Sequence, residues 1–100
     1  MPELTVIYWR DIPAQVTATD GEASARVQLP DRFQKAIDAA AMKAGLSAMD
    51  DYLAEWRRVE RSCGPDIDAE VGQEAELLAD RYPPTRLREL IRNGGLAGGT

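Results

Sequence analysis

The sequence predicts an α+β fold: three antiparallel strands, then three to four helices packed on one face of the sheet. Three observations carry this reading. A dense β-branched and aromatic run, LTVIYWR, occupies residues 4–10. Two alternating segments flank Asp20-Gly21, a two-residue hairpin signal. From Pro30 onward, apolar residues recur at helical spacing.

Each element follows from its residues. In the strand at 4–10, Leu4, Val6 and Tyr8 point one way and Thr5, Ile7 and Trp9 the other, so both faces suit burial. Asp11-Ile12-Pro13 breaks this strand, since proline cannot donate to a ladder. Strands at 14–19 and 22–29 fold back about Asp20-Gly21 in a type I′ turn. The expected register pairs Thr19 with Glu22, Thr17 with Ser24 and Gln15 with Arg26 on a polar face. It pairs Ala18 with Ala23, Val16 with Ala25 and Ala14 with Val27 on an apolar one.

Pro30-Asp31 opens a helix at 31–44, with Phe33, Ile37, Ala40, Ala41 and Ala44 as its buried stripe. Gly45 is its left-handed stop. Ser47 with Asp50 resembles a capping box and predicts a second helix at 48–62. Met49, Leu53 and Trp56 would face inward from it, joined by Tyr52 and Val59. Arg57, Arg58 and Arg61 would form its solvated face, balanced by Glu55 and Glu60. Ile67, Val71, Ala75, Leu78 and Tyr82 share one face of a third helix at 67–82, which Pro83-Pro84 ends. A fourth, at 85–92, offers Leu87, Leu90 and Ile91. Residues 1–93 thus read as one domain and 94–100 as a flexible Gly-rich tail.

Composition narrows the function. A chain of 100 residues buries a modest core, so a partner or a second copy is expected. The net charge of −5 is uneven: −3 over residues 1–22, +1 over 23–64 and −3 over 65–100. Acidic flanks oppose phosphate binding. With one cysteine there is no internal disulfide, with no run of about 18 apolar residues there is no membrane span, and the start lacks a signal peptide; together these predict the cytoplasm.

The residues argue against an enzyme, and no cofactor or metal is expected. The chain has no histidine, the commonest general base, and Cys63 lacks the base that would activate it. Asp50 and Asp51 diverge by about 100° on a helix and cannot chelate one ion together. Asp66, Asp68 and Glu70 lack the glycine and glutamate spacing of an EF-hand and read as an acidic helix start.

Two binding surfaces compete. The first is a protein interface on Trp9, Arg10, Gln15 and Arg26, where the polar hairpin face meets a Trp-Arg pair of the kind that anchors interfaces. The competing reading keeps Trp9 in the core. The second surface follows from residues 24–60, whose strand, Pro-started helix and capped second helix resemble ribbon-helix-helix proteins. It would place Ser24, Arg26 and Gln28 in a DNA major groove as a dimer. A hairpin partner on the reading strand, and the acidic Asp50-Asp51 where phosphate should dock, weigh against it.

The string IYWRDIPAQV, residues 7–16, followed by VQLPDRFQKAIDAAAMKAGL, is similar to a small bacterial family labelled "virulence factor". The resemblance extends from Leu4 to about Arg58. It implies no catalytic residues. It implies a small accessory protein, linked to one-carbon metabolism through folate- and corrinoid-dependent methyl transfer.

Overall fold

A computed structural model of the chain describes residues 2–46 and 48–97. Its centre is a four-stranded antiparallel sheet in the order β3-β2-β1-β4. The strands are β1 (Glu3–Trp9), β2 (Ile12–Asp20), β3 (Ala23–Gln28) and β4 (Trp56–Ser62). The helices are α1 (Asp31–Lys43), α2 (Met49–Leu53), α3 (Ile67–Arg81) and α4 (Pro84–Arg92).

The expected α+β class therefore holds with one strand more. Residues 48–62 do not form a second helix: only Met49–Leu53 are helical, and Trp56–Ser62 pair with β1. The cause is tertiary. β1 is largely buried and lies centrally, so both rows of its peptide groups need partners. β2 satisfies one row and β4 the other. Met49 and Leu53, expected inside, are 69% and 53% exposed. The predicted cap at Ser47 lies outside the described residues.

The β2–β3 hairpin forms, with a shifted register. Asp20 pairs with Ala23, Thr17 with Arg26 and Val16 with Val27, so Gly21 and Glu22 make the turn. Gly21 takes φ 64° and Glu22 keeps negative φ, which fits a turn of type II′ with glycine first. The shift is two residues along β3, so the faces stay sorted as expected. Val16 is buried and Val27 half-buried on the apolar side. The turn between β1 and β2 is Arg10-Asp11, and Pro13 lies inside β2 at a bulge opposite Ile7 and Tyr8, where an irregular ladder tolerates it.

The helices pack on the face carrying Leu4, Val6, Val16 and Ala18. There α3 crosses β2 and β3, α1 crosses β2, and α4 packs on α1. α1 contributes Phe33, Ala36, Ile37, Ala40 and Ala41 to the core, α3 contributes Ile67, Val71, Ala75 and Leu78, and α4 contributes Leu87 and Leu90. Gly45 and Gly94 stop α1 and α4 in the left-handed region, at φ 74° and 66°. Asp66 caps α3 by accepting from the Ala69 amide at 3.2 Å.

Tyr8 faces this layer beneath Arg57, whose guanidinium sits 4.5 Å from the ring centre. Burial pushes the Tyr8 phenol above its ordinary 10.0, and nearby Tyr82 adds to this against the opposing pull of Arg57. The folded chain thus holds the proton longer than the unfolded one. Stability should be insensitive to Tyr8 below pH 10.0 and fall as pH rises from there through the raised value. Urea unfolding at stepped alkaline pH should show this decline in the wild type and a shallower one in Tyr8→Phe.

Candidate functional site

Two features stand out: a knot at the β1–β2 turn, and the sheet face opposite the helices. In the knot, Arg10 adopts φ 52°, the only positive value among the described non-glycine residues. Left-handed backbone costs an L-residue about 1–2 kcal/mol, so the surroundings must hold it there. They do so through four hydrogen bonds with three residues. The Arg10 amide donates to the Glu55 carbonyl at 3.0 Å. Its Nε donates to Glu55 Oε1 at 2.8 Å, and its Nη1 to the Gly94 carbonyl at 2.9 Å. The Arg10 carbonyl accepts from Arg57 Nε at 2.8 Å.

The neighbours of Arg10 are equally engaged. Trp9 is fully buried, stacks on Tyr52 at 5.7 Å and donates its indole N–H to the Tyr52 carbonyl at 2.9 Å. Asp11 accepts from Arg57 Nη2 at 3.1 Å and from the Ala97 amide at 2.6 Å. The Asp11 amide donates to Gly95 at 2.9 Å. Gly95 has φ 93°, and a methyl group there would stand 2.8 Å from the Trp9 ring. Residues 94–97, expected in a flexible tail, are therefore tied to the first turn; Gly98–Thr100 lie outside the described residues.

The expected interface is thus divided. Trp9 is core, as the competing reading had it, and Arg10 is turned inward with 17% side-chain exposure. Gln15 and Arg26 do share a surface. It is the sheet face turned away from α1 and α3, and it is built of three cross-strand rows. One row runs Ser24, Thr19, Glu3, Ser62; the next Arg26, Thr17, Thr5, Glu60; the third Gln28, Gln15, Ile7, Arg58. Thr17, Thr19, Ser24 and Arg26 line a shallow depression on its hairpin. The face offers hydroxyls, amides, a guanidinium on each edge strand and the Glu60 carboxylate, a mixed donor and acceptor surface.

Ser24, Arg26 and Gln28 do point outward from β3. β3 pairs with β2 of its own chain on one edge, and of the second helix expected in the ribbon-helix-helix reading only Met49–Leu53 are helical, Trp56–Ser62 forming β4. The supposed Arg57, Arg58, Arg61 cluster is split across β4. Arg57 and Arg61 lie on the helix side, where Arg61 meets Glu74 at 3.1 Å and Glu70 at 4.0 Å, and Arg58 lies on the open face. Sequence reasoning missed Arg58 and Glu60 on that face, and Tyr52 and Glu55 in the knot. The available signal was the central character of β1, which demands a fourth strand.

These features define a class: a small α+β protein with its helices on one side of an antiparallel sheet and a polar, uncovered face on the other. The particular family follows from sequence comparison, in which the family described as "Virulence factor" matches residues 7–91. The chain belongs to that family, and the match reaches through α3 and α4, well past the Arg58 limit of the resemblance seen in the sequence. No curated protein and no solved structure matched the chain. Among the described residues, no helix is long and apolar enough to cross a membrane.

Loss of the Arg10 side chain should loosen the knot. Arg10→Gly relieves the backbone but forfeits two charge-assisted hydrogen bonds, so urea unfolding should show a loss of about 1–3 kcal/mol. Arg10→Ala forfeits the same bonds and keeps the left-handed penalty, and should fall about 1 kcal/mol further.

Proposed function

We propose that this protein is a non-enzymatic accessory or adaptor that works in the cytoplasm by binding another protein through its open sheet face. The supporting observation is the face itself: three ordered rows of side chains, polar except for Ile7, on a sheet whose long helices α1 and α3 pack on the other side. Backbone hydrogen bonds hold these side chains in fixed register, which lowers the entropy cost of ordering them on binding. Gln15, Thr17 and Arg26 carry the contact on the hairpin side of the surface, and Arg58 and Glu60 extend it to β4. Trp9 and Arg10 support its end from within the fold. Proteins of folate- and corrinoid-dependent methyl transfer are the first partners to try, as the family resemblance implies.

The test uses Arg26→Glu and Thr17→Arg, which change exposed or half-exposed positions and leave the core alone. Immobilised wild-type protein should retain a defined partner from a native extract, identified by mass spectrometry. Both variants should weaken that partner's affinity about tenfold or more, with unfolding midpoints unchanged. Retention of nothing specific, or undiminished binding by both variants, would refute the reading. Tight, salt-dependent binding to bulk DNA would instead move Arg26 to a nucleic-acid role.

A further inference from the structure

β4 is an edge strand whose sequence is complementary to itself. Its outer edge can be located from its inner one. The Arg10 amide donates to the Glu55 carbonyl and the Cys63 amide to the Pro2 carbonyl, while Val59 stands opposite Val6. In an antiparallel ladder, alternate residues aim their peptide groups at the same neighbour. Arg57, Val59 and Arg61 therefore face β1, and the amides and carbonyls of Trp56, Arg58, Glu60 and Ser62 face outward. Such an exposed row is a template for a further strand.

We infer that this edge pairs with β4 of a second copy, antiparallel about a two-fold axis at Val59, to make one eight-stranded sheet. In that register Arg58 lies opposite the second copy's Glu60, and by symmetry Glu60 lies opposite its Arg58. These positions carry the outward peptide groups, so each such pair exchanges two backbone hydrogen bonds. Their side chains also lie together on the open face as two opposite-charge cross-strand pairs.

The rest of the strand is compatible. Arg57 and Arg61 come opposite one another across the axis, but each already has an acidic partner in its own chain: Asp11 at 3.1 Å, and Glu74 at 3.1 Å. Val59 is 44% exposed and would meet its own copy. The helices pack mainly over β2 and β3, and α3 reaches β4 on its helix side through Arg61, leaving the outward peptide groups of β4 in the plane of the sheet for a second copy. The inference stands on this edge alone and holds whatever the open face binds.

Sedimentation equilibrium from about 1 μM to about 1 mM protein tests it. The wild type should show a reversible monomer–dimer equilibrium. Arg58→Glu and Glu60→Arg each set like charges opposite one another twice, and each should raise the dimer dissociation constant about tenfold or more. The double variant R58E/E60R restores opposite charges and should return the constant to within about threefold of wild type. Circular dichroism should show all variants folded, since both side chains are exposed on an edge strand. A wild type that stays monomeric throughout overturns the inference. So does a dimer that survives both single substitutions, which would place the contact elsewhere, or a double variant that is not rescued.

Discussion

A strand at the middle of a sheet, with its backbone buried, cannot leave either row of its peptide groups without a partner, and this requirement on β1 organises the molecule. Leu4, Val6 and Trp9 are buried, and Thr5 between them is 7% exposed. Unpaired amides in such surroundings would each cost about 1–3 kcal/mol, so both edges must be capped by strands. β2 arrives through a two-residue turn. The other edge is filled from a segment with little to bury, Trp56–Ser62. This explains why a polar sequence with arginines at 57, 58 and 61 is held as a strand: it is recruited for its backbone.

The second organising element is the Trp9-Arg10-Asp11 turn. A left-handed arginine is an unfavourable choice for a tight turn, where glycine is usual. Here the side chain repays the backbone cost, because only an arginine reaching back can join Glu55 to the Gly94 carbonyl while lying 5.4 Å from the Trp9 ring centre. Residue types that suit a binding surface are spent on closing the fold. The side chains left on the sheet surface are instead mostly Thr, Ser and Gln.

Much of the fold was legible in local chemistry. The hairpin, α1, α3 and α4, with their buried stripes, follow from turn residues and from periods of two and 3.6. What was not legible depends on partners distant in sequence. Nothing local in WRRVERS separates a solvated helix from a recruited edge strand, and the apparent Ser47-Asp50 cap with Met49, Leu53 and Trp56 at helical spacing favoured the helix. The hairpin register slipped because Asp-Gly and Gly-Glu both make acceptable two-residue turns, and the same faces are sorted either way. Gln15 and Arg26 could be placed on one surface from alternation alone. Trp9 could not, since an aromatic residue at a strand end is equally suited to core and to interface.

The knot also links positions far apart in the chain. Arg10 bonds to Gly94, and Asp11 to Gly95 and Ala97, across more than eighty residues. The turn that Glu55 and Arg57 hold therefore gains its remaining ties only once the segment after α4 has docked. Residues 94–97 thus help to shield Trp9, and a chain truncated before Gly94 would leave more of that indole uncovered.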